Sequence, residues 1–495
     1  MTRELRPYQT AAIGLIWQAM AEGRRRPVLM MATGAGKTKT AAEIIKRALA
    51  KGKRVVMTMP AIELIDQTVQ ALYAEGITDI GVIQAQHPLT NSDMPVQVAS
   101  VQTLSRRLLP ETDLVIVDEA HRAHKIVHQW MAKQPKLPFI GLSATPWTRG
   151  LGKHYDELII AATTQQLIRE GYLAPFKVFA PSHPDLTGVR TVAGDYAEDD
   201  LAEAMDRPQL TADVVSTWLK LGENRPTLCF AVNRAHARSL ERDFRNAGVT
   251  VAYVDGDTDR GERDQIRREF EAGQIKVVVN IGVLTTGVDW DVRCLILARP
   301  TKSEMLYVQV IGRALRTAPG KADAIILDHS DTTLNLGFVT DIHHHQLSDG
   351  SERKALSSGR KERPAPKPKE CSSCSCLKPA GVHKCPSCGF APHRVQEVAT
   401  VQGELSHLGG KQKKADMETK LKWYAMLLWH QDDRRKSHGW AAHRYRDKFG
   451  VWPNGLHVTP SRPDVEVGNW IRAKAIAWAK GQEKAKKAGG AQHAA

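Results

Sequence analysis

Between Val28 and Leu49 the chain leaves little choice of fold. A short apolar run, Val28-Leu29-Met30-Met31, leads into Ala32-Thr33-Gly34-Ala35-Gly36-Lys37-Thr38. Apolar residues then recur at Ala41, Ile44, Ile45, Ala48 and Leu49, with Gly52 as a stop. Read by period, this is a buried strand, a glycine loop and an amphipathic helix. Strand, glycine loop, Lys-Thr and helix together cradle a nucleotide's phosphates. Gly34 and Gly36 let backbone N–H groups turn inward, Lys37 reaches the β- and γ-phosphates, Thr38 takes Mg²⁺, and the helix N-terminus favours the anion.

The second fixed point is Asp118-Glu119-Ala120-His121, at the end of the apolar run Leu114-Val115-Ile116-Val117. A carboxylate pair at the carboxyl end of a buried strand stands at the rim of an open α/β sheet, where ligands bind. One acid can hold Mg²⁺ and the other can orient a water for attack on a phosphate. Leu5-Arg6-Pro7-Tyr8-Gln9 precedes a helical pattern through Ile13, Ile16, Trp17 and Met20. Gln9 can donate to and accept from an adenine edge, although taken alone it reads better as a surface glutamine before a helix. Strands are also expected at Val55–Pro60, Val96–Val101 and Phe139–Leu142, the last ending in Ser143-Ala144-Thr145-Pro146.

Residues 166–205 read as a connector with Pro and acid clusters, and a second α/β alternation follows at 206–340. Strands are expected at Thr227–Val232, Val249–Val254, Lys276–Ile281, Cys294–Ala298 and Ala324–Leu327, with helices at Arg234–Asn246 and Gly261–Glu271. Two of its patches carry chemistry: Thr285-Thr286-Gly287-Val288-Asp289, and Gln309-Val310-Ile311-Gly312-Arg313-Ala314-Leu315-Arg316. Arg313 and Arg316 are three apart, on one face of an expected helix. Such a pair can reach a γ-phosphate across a cleft as arginine fingers do, or can simply be a solvated face.

Taken in order, Leu5–Gln9, Ala32–Thr38, Asp118–His121, Ser143–Pro146, Thr286–Asp289 and Gln309–Arg316 resemble the Q motif and motifs I, II, III, V and VI of superfamily 2 helicases. Met31 in place of a first loop glycine is a common form of motif I there. Within the superfamily the spacing is similar to RadD-like DNA-repair helicases, bacterial or phage-encoded, and to motor subunits of restriction enzymes. The resemblance implies two RecA-like lobes, 1–165 and 206–340, with ATP between them. Arg6, Gln9, Thr33, Gly34, Ala35, Gly36, Lys37, Thr38, Gly287, Asp289 and Gln309 would bind the nucleotide. Thr38 and Asp118 would hold Mg²⁺, Glu119 would polarise the attacking water, and Arg313 and Arg316 would stabilise the transition state. It further implies DNA, single-stranded or branched, as partner, with single-strand-binding or recombination proteins nearby and a role in repair, recombination or replication. An RNA helicase, the motor subunit of a nuclease complex and a zinc-dependent scaffold with a silent motor are the competing readings.

The final third differs in composition. Residues 351–495 hold 28 Lys and Arg against 13 Asp and Glu, whereas residues 1–350 hold 41 of each. That asymmetry points to a polyanion partner or to a solubilising tail. A Ser-, Gly-, Pro- and Lys-rich linker at 348–370 leads to Cys371-x₂-Cys374-x₁₀-Cys385-x₂-Cys388. Two such pairs at short spacing predict a structural Zn²⁺ site at 371–392, with Cys376 and His383 as alternative ligands. His343-His344-His345 reads as a loop. After a second linker at 395–414, residues 415–480 form a basic helical region with stripes at Met417, Leu421, Tyr424 and Leu428, and at Ile471, Ala475 and Trp478. Six of the eleven tryptophans lie in 423–478. Aromatics beside cations suit stacking on unpaired bases, and they also suit a small core. Gly439–Gly450 looks similar to tails of some phage and prophage helicases. A disordered tail is expected at 481–495. With no apolar run long enough to span a membrane and no signal peptide at Met1-Thr2-Arg3-Glu4, the expected location is cytoplasmic, without a membrane partner.

Overall fold

The computed structural model describes residues 4–285, 290–351, 367–392 and 415–475. The chain divides into two compact units, one up to Arg394 and one from Val395 onward. Gly287, Asp289, Trp478, the 395–414 linker, most of the 348–370 linker and the 481–495 tail lie outside the described residues.

Two open parallel sheets make up the first unit. The first has seven strands, in the order Ile80–Ile83, Val96–Ser100, Val55–Met59, Leu114–Asp118, Phe139–Ser143, Pro27–Met31, Glu157–Ala162. All six pairings are parallel. Helices cover both faces, so the strands are apolar on both sides. Ile116 joins one buried cluster with Leu29, Met57 and Leu142, while Val115 and Val117 join the other with Val28, Val56 and Phe139.

The second sheet has six strands, in the order Val251–Val254, Val277–Asn280, Thr227–Phe230, Cys294–Leu297, Ala324–Asp328, Phe176–Phe179. Its last strand comes from the segment read as a connector. Phe176–Phe179 pairs parallel to Ala324–Leu327 and closes that edge of the sheet. The rest of 166–205 carries the helices Thr164–Arg169 and Glu198–Met205 and a short hairpin at Thr191–Tyr196. Cys229 and Cys294 are fully buried in this lobe, and burial pushes the Cys294 thiol up to about 12, as inert core cysteines require.

Two features after the second sheet differ from a simple lobe-plus-linker plan. Residues 338–351 return to the first lobe: Phe338, Val339 and Ile342 join the buried cluster that both lobes share, Gly152 N–H donates to the Ser348 carbonyl at 2.8 Å, and the Arg149 guanidinium donates to Gly350 O at 2.7 Å. The cysteine module does not hang free. Ala180 N–H donates to Ser375 O at 2.9 Å, Phe179 bridges to Cys376, and Cys371, Cys376 and Cys385 enter the second lobe's core. The module thereby covers the edge strand Phe176–Phe179, an edge that would otherwise invite another chain.

In the second unit, helices Met417–Asp433 and Trp440–Phe449 and the stretch around Val467 and Ile471 enclose a small core. Trp423, Met426, Leu427, Ala441 and Tyr445 form its centre. The expected stripe is shifted: Met417 is exposed, and Tyr424 and Leu428 pack at the rim. Among the described residues no helix is long and apolar enough to cross a membrane.

Candidate active site

The phosphate loop leaves the strand Pro27–Met31 and enters the helix Lys37–Leu49, with Gly36 as its N-cap. Gly36 adopts a left-handed backbone, φ 84°, and a Cβ there would stand 2.5 Å from Gln9 Nε2, so only glycine fits. Gln9 belongs to the helix Pro7–Ala21 and grips the loop from outside. Its Nε2 donates to Ala35 O at 3.0 Å and its Oε1 accepts from Arg6 N–H at 2.9 Å. Tyr8, unremarked in the sequence, adds a bond from its hydroxyl to Ala35 O at 2.7 Å. The Arg6 guanidinium donates to that hydroxyl and lies over the Tyr172 ring at 4.7 Å.

Asp118 ends its strand, and the backbone then reverses sharply: Glu119 is left-handed, φ 47°. That turn aims Glu119 back at the loop, where Lys37 Nζ donates to its Oε1 at 3.2 Å. A strained backbone at a carboxylate is the kind found at functional sites. Burial and the neighbouring Glu119 charge push Asp118 up to about 6. Burial opposes ionisation of Glu119, but the charge and hydrogen bond of Lys37, with the Arg313 charge, outweigh it and hold its carboxyl low. The donor set fits a hard cation: the Asp118 carboxylate and Thr38 hydroxyl are oxygen ligands beside a phosphate cradle.

A polar chain joins the two lobes behind this pair. Gln309, on the second-lobe helix Glu304–Ala314, donates from Nε2 to Thr145 Oγ1 at 2.9 Å and faces His121 Nε2 at 3.2 Å. An amide N–H facing Nε2 makes that nitrogen the acceptor, so the ring proton sits on Nδ1, 2.9 Å from Ser143 Oγ. Burial pushes His121 down to about 4, leaving it neutral at pH 7. Ser143 also accepts from Thr145 N–H.

One turn on, Gly312 sits so close to the loop that a Cβ would stand 2.6 Å from Thr33 Cβ. Arg313 is buried, and its guanidinium donates to Thr285 O at 2.6 and 3.0 Å. Arg316 departs from the expected shared helix face. The helix ends at Ala314, and Arg316 pairs through its backbone with Leu173. Its Cγ lies 2.9 Å from where a Gly34 Cβ would be, so it still packs over the phosphate loop. The structure thus brings Gln9, Thr33, Gly34, Ala35, Gly36, Lys37, Glu119, Gln309, Arg313 and Arg316 around one interlobe cleft.

The cysteine cluster has its own geometry. The ligand atoms of Cys371, Cys374, Cys385 and Cys388 all lie within 4.8 Å of one another. The pairs Cys371–Cys388 and Cys374–Cys385 have Sγ···Sγ separations of 3.7 Å, and all are free thiols. Tetrahedral Zn–S bonds of about 2.3 Å require sulfurs about 3.8 Å apart, so the set fits zinc. Cys376 lies outside the cluster: its Sγ faces Leu377 O and its side chain is core. His383 contributes its carbonyl to Lys378. The expected histidine loop pairs His344 with Glu304 at 2.7 Å and stacks it on Trp147.

Comparison with known proteins adds the family. The type III restriction enzyme res subunit model matches residues 2–148, and the helicase conserved C-terminal domain model matches residues 210–318. A 51.5 kDa protein of a Lactococcus phage (isolate 7-9) is 29% identical over 381 residues, 75% of this chain and 80% of its own. The candidate ATP-dependent helicase IRC3 of Saccharomyces cerevisiae is 30% identical over 351 residues, 66% of this chain. The chain spans only 51% of that yeast relative's length. A fragment of a candidate HsdR subunit of a type I restriction enzyme from Vibrio vulnificus superposes with a TM-score of 0.54 at 21% identity, over 68% of this chain and 67% of that one, and so shares the fold. With the res-subunit and helicase C-terminal domains in tandem, the chain belongs to the superfamily 2 helicases.

Proposed function

We propose that this chain is an ATP-driven translocase or helicase acting on DNA, with residues 1–165 and 206–340 as its two motor lobes. The observation that carries the reading is the interlobe contact, in which Gln309 meets Thr145 and His121 while Gly312 rests on Thr33. A nucleotide's phosphates would lie on the loop N–H groups, with Lys37 on the β- and γ-oxygens. Gly287 and Asp289 would complete the pocket from the second lobe. Glu119 would accept a proton from the attacking water, and Arg313 and Arg316 would neutralise charge developing on the γ-phosphate. Mg²⁺, held by Thr38 and Asp118, would supply charge neutralisation on the phosphate oxygens. Gln309 would report nucleotide state to the second lobe through His121. A four-cysteine zinc would be structural.

The DNA surface would include the second unit. Trp452 is 41% exposed, with the Arg446 guanidinium 4.7 Å from its ring and His443 edge-on at 5.0 Å. An exposed ring among cations suits unpaired bases, which favours single-stranded or branched DNA. Repair, recombination or replication would be the setting. The res-subunit match favours one second reading, a motor serving a nuclease on another chain. The deciding experiment is ATP hydrolysis measured with single-stranded, duplex and forked DNA and with RNA, and Lys37→Ala as control. Stimulation by DNA, lost in the control, supports the reading; stimulation by RNA alone, or full turnover in Lys37→Ala, overturns it.

A further inference from the structure

Lys321 lies outside the motifs, on the loop between the helix Glu304–Ala314 and the strand Ala324–Asp328. Its ammonium donates to three carbonyls: Val292 O at 2.7 Å, Ala314 O at 2.6 Å and Arg316 O at 2.7 Å. An ammonium has three N–H bonds, so all are used. Ala314 ends its helix, where carbonyls lack partners and a cation is favoured. Val292 belongs to the buried segment that begins at Trp290 and follows the Gly287–Asp289 stretch. Arg293 ties the same pieces from the other side, donating to Asp291 and to the Pro319 and Gly320 carbonyls.

We infer that Lys321 is a positioning residue for ATP hydrolysis: it locks the helix end that leads into Arg316 to the segment Trp290–Arg293, so that Arg316 is held over the phosphate loop from a rigid second-lobe base. This rests on the motor reading. Lys321 acts through the Arg316 backbone, which Leu173 holds from the opposite side while Ala174 N–H donates to Leu315 O at 2.7 Å. The groups facing the ammonium are Asp291, which favours its charge, and Arg293, Arg225 and Arg316, which oppose it. Burial, with those arginines, pushes Lys321 down to about 8. Below that pH three charged bonds hold the lock. Above it a neutral amine has two N–H bonds for three carbonyls. Turnover should therefore fall on the alkaline side of about pH 8.

The test is DNA-stimulated ATP hydrolysis by the full chain from about pH 6.5 to 9.5, for wild type, Lys321→Arg and Lys321→Met, with melting temperatures and hydrogen exchange. Lys321→Met should lower kcat about tenfold, leave the ATP KM within about threefold, and melt near wild type. Lys321→Arg, charged throughout, should keep most of kcat and lose the alkaline fall. Exchange in Lys321→Met should quicken in both 290–293 and 312–318. An unchanged kcat in folded Lys321→Met, or the same alkaline fall in Lys321→Arg, overturns the inference. If Lys321→Met does not fold, the Lys321→Arg profile decides. If wild type hydrolyses no ATP with any nucleic acid, the motor reading fails instead, and unchanged exchange in both segments still overturns the lock.

Discussion

At Glu119 a left-handed backbone and a 3.2 Å contact to Lys37 make one carboxylate both strained and paired. Glu119→Gln keeps the size and removes the base, so ATP affinity should stay within a few-fold while turnover falls by about a hundredfold or more. Equilibrium nucleotide binding beside single-turnover hydrolysis checks this; equal losses in both would deny Glu119 its chemical role. Gly312 makes a second case. In an ordinary helix, Gly→Ala stabilises by up to about 1 kcal/mol. Here the added methyl would meet Thr33 Cβ at 2.6 Å across the cleft. Gly312→Ala should therefore melt no lower than wild type yet lose at least about tenfold in ATP turnover, because the lobes cannot close. A lowered melting point with normal turnover would refute that account. Lys37, Asp118 and Glu119 were legible because strand, loop and spacing state their chemistry locally. The Gly312–Thr33 contact joins residues far apart in sequence and leaves no local trace. The helix stop before Arg316 had a signal in Pro319-Gly320, but the bonds that draw the Ala314 and Arg316 carbonyls to Lys321 did not.

Among elements, the strands missed from the sequence share one property. Ile80–Ile83, Glu157–Ala162 and Phe176–Phe179 are all edge strands. Central strands, covered on both faces, must be continuous apolar runs such as Leu114–Val117; Phe176–Phe179 breaks its run with the exposed Lys177, whereas Leu158–Ala162 is as continuous an apolar run as the central ones and its signal was there to be read. The Phe176–Phe179 edge explains why the cysteine module sits where it does. Its cysteine spacing spelled out a cluster that fits zinc, but the burial of those cysteines in the second lobe's core was not legible. A consequence follows for stability. Cys385→Ser, or removal of zinc by a chelator, should release metal and also loosen the second lobe, since Cys371, Cys376 and Cys385 pack with Phe179 and Cys229. Metal analysis with calorimetry checks both parts. A melting temperature unmoved by metal loss would mean that the module folds independently of the lobe.

For the whole molecule, buried neutral histidines set an acid limit. Burial pushes His236 and His329 down to about 4, against an ordinary value near 6.5. As pH falls through 6.5 the unfolded chain takes up protons that the folded one refuses. Their contribution is thus complete above about pH 6.5 and is lost progressively toward pH 4, about 3 kcal/mol each at the limit. Urea midpoints from neutral to acid pH should fall accordingly, and His236→Gln should flatten part of the slope. The division at Arg394 separates this folding question from DNA affinity. Residues 395–495 carry 18 Lys and Arg against 10 Asp and Glu, yet residues 351–394 carry 10 against 3. Truncation after Arg394 should therefore leave DNA-stimulated ATP hydrolysis in place and reduce, not abolish, the salt dependence of binding. Each lost phosphate contact lowers the log–log slope by about 0.7 for single strands, so a loss near 2 is expected if about three cations leave. Trp452→Ala in the full chain should weaken single-strand binding by about 1–3 kcal/mol with the salt slope unchanged, because stacking releases no counterions. If truncation leaves the slope intact and Trp452→Ala leaves affinity intact, the basic, tryptophan-rich unit is not a DNA surface, and its charge serves solubility alone.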